Sequence, residues 1–104
     1  MGSRVRKWIM DPVKQLRIAD IQPGQTILEV GCGTGFFTIP AAQMVGDRGQ
    51  IIALDASSGF LKEVAKKVQA ANLTNVTIVQ RDALNTGLEN ESIDKALLFG
   101  VIPF

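Results

Sequence analysis

The fold of this chain is decided by the stretch Ile27-Leu28-Glu29-Val30-Gly31-Cys32-Gly33-Thr34-Gly35-Phe36. Its mostly apolar beginning predicts a buried strand, and its three alternating glycines predict a tight loop that leads into a helix. Because glycine has no Cβ, such a loop can turn sharply and approach a ligand closely. A helix that begins there directs N–H groups and the positive end of its dipole toward the same place. The stretch therefore predicts a site for a small molecule with an anionic or strongly polar group.

The spacing of the glycines distinguishes between classes of nucleotide ligand. A dinucleotide fingerprint requires G-x-G-x-x-G, but Phe36 occupies the position of the last glycine and Gly35 comes one position early. Glu29 lies two residues before Gly31, where a carboxylate would repel a pyrophosphate and attract a cation. Both departures disfavour a nicotinamide-binding Rossmann protein, which stays open as an alternative.

The segment from Glu29 to Gly35 resembles the E/D-x-G-x-G-x-G signature of class I S-adenosylmethionine-dependent methyltransferases. The resemblance extends from about Gln22 to Ile102, which is most of the chain. It implies that S-adenosylmethionine (SAM) is the cofactor and S-adenosylhomocysteine (SAH) the product. SAM carries a sulfonium, an ammonium and a carboxylate group, so one acidic side chain beside backbone N–H groups suits its charges.

Two acidic residues further along the chain follow predicted strands. Asp55 ends the second strand, where a carboxylate can accept hydrogen bonds from both ribose hydroxyls. Asp82 follows the third strand, and the resemblance implies that it accepts from the adenine amino group while the next N–H contacts the ring. Each aspartate can alternatively be an ordinary strand-end or turn residue. The expected cofactor-binding set is Glu29, Gly31, Cys32, Gly33, Gly35, Asp55, Ala56, Asp82, Ala83 and Gly100.

The composition restricts the chemistry of the protein. Histidine is absent and Cys32 is the only cysteine, which excludes an internal disulfide, a zinc ligand set and histidine-assisted nucleophilic catalysis within this chain. Methyl transfer from a sulfonium needs no protein nucleophile, because the leaving group is already activated and the protein aligns the reactants. No catalytic residue is therefore assigned, and Cys32 is expected to fill space in the loop.

Strand and helix patterns alternate along the 104 residues, which predicts parallel strands with right-handed crossovers. The predicted strands cover residues 26–30, 50–54, 76–79 and 95–102, and the helices begin at Pro12, near Phe36 and after Ser57 or Ser58. The expected fold is α/β, a partial doubly wound Rossmann-like parallel sheet of order 3-2-1-4 with flanking helices, in one unit spanning residues 1–104. A complete fold of this kind is larger, so we expect a cofactor-binding part truncated after its fourth strand.

Charge and composition bear on location and partners. A net charge of +1 and the lack of a transmembrane-length apolar run favour a soluble, cytoplasmic protein and argue against membrane or nucleic-acid partners. The segment Leu98–Ile102 is similar to small-molecule methyltransferases, which favours a small-molecule acceptor. A SAM-binding module without catalysis stays open as an alternative. The apolar fourth strand predicts a homodimer or higher oligomer, joined through its exposed edge or by exchange of elements, with low intrinsic activity.

Overall fold

A computed structural model describes residues 11–81 and 93–98. The elements in chain order are α1 (Pro12–Ile18), β1 (Thr26–Val30), α2 (Thr38–Val45), β2 (Gln50–Asp55), α3 (Ser58–Ala70), β3 (Val76–Gln80) and β4 (Lys95–Leu98). All strand pairs are parallel and their order is β3-β2-β1-β4, which confirms the predicted α/β fold and the order 3-2-1-4. The predicted continuation of the fourth strand over residues 99–102 lies outside the described residues.

Side-chain caps begin two of the helices. Asp11 Oδ1 accepts from the backbone N–H groups of Val13 at 3.0 Å and Lys14 at 3.3 Å, so α1 begins where the Asp-Pro pair predicts. Ser57 Oγ accepts from the N–H of Phe60 at 3.2 Å, so Ser57 is the cap of α3. No helix in the described ranges has the length and apolar character that a membrane crossing requires.

The helix α2 begins at Thr38, two residues later than the sequence predicts. The delay follows from the glycine loop, because Gly35 has a φ of +94° and the chain is still turning through Phe37. Pro40 is thus the third helical residue, where its missing N–H removes no intrahelical bond. Gly46, with a φ of +70°, ends the helix.

The two central strands are buried on both faces, as their nearly continuous apolar sequences predict. One face packs against the helices through Leu16, Ile21, Ile27, Ala41, Ala42, Val45 and Ile51 near one end, and through Cys32, Ala53, Leu61 and Val64 near the other. The opposite face is formed by Leu28, Val30, Ile52 and Leu54. This burial holds β1 and β2 rigidly side by side, so the loops that follow them are fixed relative to each other.

Polar contacts hold together the end of the sheet at which the strands begin. The N–H of Asp94 donates to the carbonyl oxygen of Thr26 at 2.8 Å, and Asp94 Oδ2 accepts from the N–H of Thr26 at 2.6 Å. Lys95 Nζ donates to the carbonyl oxygens of Ala19 and Asp20, both at 2.7 Å. These contacts attach β4 to β1 and α1 at this edge, so the glycine loop lies at the other edge, beyond the carboxyl ends of the strands.

Candidate functional site

The glycine loop after β1 uses its glycines in different ways. Gly31, Gly33 and Gly35 have φ values of +75°, +59° and +94°, which side chains with a Cβ rarely adopt. A Cβ on Gly33 would meet no heavy atom of the described residues within 4 Å, whereas a Cβ on Gly35 would lie 3.4 Å from Val64 Cγ2. Gly33 therefore borders open space that a ligand can enter, and Gly35 is where the loop packs against α3.

Backbone hydrogen bonds hold this loop against the end of β2. The N–H groups of Gly31 and Cys32 donate to the carbonyl oxygen of Leu54, at 2.8 and 3.1 Å. The N–H of Gly33 donates to Asp55 Oδ2 at 3.0 Å. The loop continues the β1–β2 pairing beyond the strands and is thus preorganised before any ligand binds.

Asp55 connects the loop to the beginning of α3. While Oδ2 accepts from Gly33, Oδ1 accepts from the N–H of Ser57 at 2.9 Å. Each carboxylate oxygen has two lone pairs, so both oxygens keep capacity for further donors such as ligand hydroxyls. The carbonyl oxygen of the next residue, Ala56, accepts from Gln80 Nε2 at 3.2 Å, which ties the same turn to β3.

The Glu29 carboxyl group is buried beneath the loop with one oxygen unpaired. Glu29 is 1% exposed, and its Oε1 accepts from Thr38 Oγ1 at 2.5 Å. Its Oε2 is also buried and has no hydrogen-bond partner in the part of the chain that the structure describes. Burial raises the pKa of Glu29 to about 7, although the hydrogen bond from Thr38 acts in the opposite direction. A buried acceptor of this kind requires a donor, and a cationic donor above all.

Cys32 lies in the glycine loop, but its side chain is buried among apolar residues. It is 6% exposed and packs with Ala53, Leu61 and Val64. Burial, reinforced by the carboxylates of Glu29 and Asp55, raises the pKa of its thiol to about 12. The thiol is therefore neutral at physiological pH and is not an activated nucleophile.

The predicted site residues are distributed unequally over the described structure. Seven lie at the carboxyl edge of the sheet, on or beside the glycine loop: Glu29, Gly31, Cys32, Gly33, Gly35, Asp55 and Ala56. Asp82, Ala83 and Gly100 lie outside the described residues. Sequence reasoning missed Thr38, for which the only signal is a hydroxyl residue within the apolar segment Phe36–Val45.

Comparison with known proteins gives consistent matches. The family described as a methyltransferase domain matches residues 27–104. A demethylmenaquinone methyltransferase of Shouchella clausii (strain KSM-K16) is 35% identical over 89 residues, which are 86% of this chain and 37% of that protein. The crystal structure of a SAM-dependent methyltransferase from Aquifex aeolicus is 28% identical with a TM-score of 0.78, over 85% of this chain and 47% of that one.

A second similar structure was solved with ligands. Coclaurine N-methyltransferase, bound to N-methylheliamine and SAH, is 28% identical with a TM-score of 0.72, over 86% of this chain and 25% of that one. The present chain thus spans less than half the length of each of these relatives. The family match itself covers most of the chain and includes the glycine loop and Asp55. With its glycine signature and its parallel sheet of order 3-2-1-4, the chain belongs to the class I SAM-dependent methyltransferase family.

Proposed function

We propose that this chain binds SAM and forms the cofactor-binding part of a methyltransferase that acts on a small molecule. The observation that carries the proposal is the buried, unpaired Oε2 of Glu29, directly beneath a glycine loop that Asp55 holds from the other side. The strand order reverses beside β1, and ligands of open parallel sheets bind at such a switch point, outside the carboxyl ends of the strands.

The residues of this edge fit the chemical groups of SAM. The unpaired Oε2 of Glu29 suits the ammonium group, and the remaining acceptor capacity of Asp55 suits the ribose hydroxyls. The open space beside Gly33 allows the ligand to approach the backbone. When bound, SAM supplies a methyl group that is already activated by the sulfonium. The contribution of these residues is to bind and orient the cofactor.

A small methyl acceptor is supported by the name of one relative. The protein from Shouchella clausii is a demethylmenaquinone methyltransferase, which supports a menaquinone-like acceptor for the protein to which this sequence belongs. The competing proposal is a SAM-binding module without catalysis, since the residue roles proposed above concern the cofactor alone. Transfer of a labelled methyl group from SAM to demethylmenaquinone by the whole protein to which this sequence belongs separates the two, because a binding module retains affinity for SAM without forming a methylated product.

Calorimetric titration of the chain with SAM, SAH and NAD tests the cofactor proposal. We expect SAM and SAH to bind and NAD to bind more weakly than either, because a buried carboxylate opposes a pyrophosphate. Tighter binding of NAD would overturn the proposal.

Gly33→Ala is expected to weaken SAH binding by about tenfold or more, which corresponds to a loss of about 1.4 kcal/mol of binding free energy. The new methyl group would project into the open space where the ligand is proposed to lie. Gly24→Ala is the matched control, because Gly24 also has a positive φ (+84°) and open surroundings, but precedes β1 at the opposite edge of the sheet. Both substitutions carry a similar backbone cost, of about 1–2 kcal/mol.

The comparison of Gly33→Ala with Gly24→Ala isolates the contact with the ligand better than Asp55→Ala does, because Asp55→Ala also removes the acceptor of the Gly33 and Ser57 N–H groups. Calorimetry with SAH, after chemical denaturation has shown that both variants are folded, measures the difference. Equal losses of affinity in Gly33→Ala and Gly24→Ala would show that the ligand does not approach Gly33.

We also propose that copies of this chain associate through β4. The support is that β4 is a terminal strand of the described sheet and that Leu98 on it is 62% exposed. Leu98→Lys is expected to shift the sedimentation coefficient toward that of a monomer. Ile18→Lys, at an apolar residue of α1 that is 78% exposed, is expected to leave it unchanged. A wild-type monomer at all concentrations would contradict the proposal.

A cytoplasmic location is proposed as well, supported by Cys32 as a buried free thiol.

A further inference from the structure

We propose that Thr38 is a positioning residue for the cofactor: its hydroxyl holds Oε1 of Glu29 so that Oε2 remains for the ammonium group of SAM. This inference rests on the proposed function. It concerns a residue outside the glycine signature, at the beginning of α2, that joins the helix to β1 by a side-chain contact.

The contact between Thr38 and Glu29 is sealed from water. Thr38 is 0% exposed and Glu29 is 1% exposed, and the distance of 2.5 Å between Oγ1 and Oε1 lies at the short end of the range for a hydroxyl that donates to a carboxylate. A carboxylate held at one oxygen cannot rotate freely, so the direction of the other oxygen is determined by the protein. The contact therefore gives Oε1 a partner within the protein and leaves Oε2 as the oxygen that we assign to the ligand.

The hydroxyl of Thr38 has no capping role that would explain it otherwise. Helix α2 has Phe37 at the capping position, without a side-chain hydrogen bond to the helix end. Hydroxyl residues are favoured at the cap itself, where the oxygen accepts from N–H groups of the first turn. Thr38 follows the cap, is fully buried, and donates toward the sheet. Its position is thus explained by the carboxylate of Glu29.

The other groups around Glu29 do not replace this hydrogen bond. In the sheet, Glu29 is paired with Ala53 of β2 and Leu97 of β4, which are both apolar. Within residues 11–81 and 93–98, the neighbouring titratable groups are the Cys32 thiol and, beyond it, the Asp55 carboxylate, and neither attracts a second negative charge. On α3, the exposed residue Lys67 lies near the glycine loop, because its Cδ would be 3.7 Å from a Cβ on Gly35. Among the described groups, the hydroxyl of Thr38 favours the ionised carboxylate, while burial opposes it.

The test is the pH dependence of SAH binding in wild type, Thr38→Val and Thr38→Ser. In wild type, affinity is expected to rise as Glu29 ionises around pH 7. Thr38→Val keeps the size of the side chain but lacks the donor, so the midpoint should shift upward by about one pH unit, with affinity near neutral pH falling by as much as about tenfold. At higher pH the affinity should return toward the wild-type value. Thr38→Ser should keep the wild-type midpoint.

A second readout needs no ligand. Carbon-13 NMR of the Glu29 carboxyl group, assigned by its loss in Glu29→Gln, should show the same upward shift in Thr38→Val. Thr38→Ala tests the same hydroxyl if the valine variant does not fold. An unchanged Glu29 midpoint in the NMR titration, or an equal loss of affinity at every pH, would overturn the role of Thr38 and leave the proposed function intact. A wild-type chain that fails to bind SAH at any pH would overturn the proposed function itself.

Discussion

Glu29→Gln is expected to raise the free energy of unfolding of the unliganded chain at about pH 8 by up to about 3 kcal/mol, and to weaken SAM binding. Burial raises the pKa of Glu29 from 4.5 to about 7 in the folded protein. Between those values the folded state keeps a proton that the unfolded state has released, so stability falls as the pH rises through this interval. Glutamine carries no charge to bury and avoids that loss.

Chemical denaturation of wild type and variant at about pH 5 and about pH 8 measures the effect, which should be several-fold smaller at the lower pH. The matched control is Glu63→Gln, because Glu63 lies on α3 with its side chain 50% exposed and an ion pair to Lys66 at 3.4 Å. An exposed pair of this kind contributes little to stability. A stability difference for Glu29→Gln that is the same at both pH values would show that the pKa of Glu29 is not raised in the folded protein.

The expected opposition between stability and binding has a physical origin. An unpaired carboxylate oxygen in the core destabilises the folded chain unless a donor reaches it. Sites that bind ligands commonly retain groups that stability alone would disfavour. If Oε2 of Glu29 receives the ammonium group of SAM, the cofactor should stabilise wild type more than it stabilises Glu29→Gln.

Gly49→Ala is expected to lower the free energy of unfolding by about 3 kcal/mol, at the upper end of the usual cost of overpacking. Gly49 lies in the turn between α2 and β2, where a Cβ would be 2.4 Å from Val45 Cβ and 2.7 Å from the carbonyl oxygen of Gln25. Neither neighbour can move easily. Val45 is buried in the core, and the same carbonyl oxygen of Gln25 accepts from the N–H of Gln50 at 3.0 Å.

Thermal and chemical denaturation of Gly49→Ala and Gly59→Ala measure this effect with an internal control. Gly59 lies in the first turn of α3, where a Cβ would meet Ser57 Oγ at 3.8 Å and no other atom of the described residues. Alanine in a helix is favoured over glycine, so Gly59→Ala should raise stability by up to about 1 kcal/mol. Similar stabilities for the two variants would show that the turn at Gly49 adapts without cost.

Several features of this protein could be predicted from local sequence because the responsible forces act over a few residues. The alternation of strand and helix patterns along the chain predicts parallel pairing, and a doubly wound fold built from these strands has the order 3-2-1-4. Asp11 and Ser57 mark helix starts, since a cap acts within one turn. The end of β2 at Asp55 brings a carboxylate to the glycine loop, because parallel strands end at the same edge.

The tertiary structure decided which partners these residues have. The alternation of strand side chains places Glu29 on the helix-facing side of β1, but the packing of the beginning of α2 against β1 is what brings Thr38 onto its carboxylate. Gly33 and Gly35 are equivalent in the sequence pattern, yet one borders open space and the other packs against Val64. A sequence pattern reports which face of an element is apolar. The pairing of single atoms depends on where two elements cross, which is determined by the packing of the whole core.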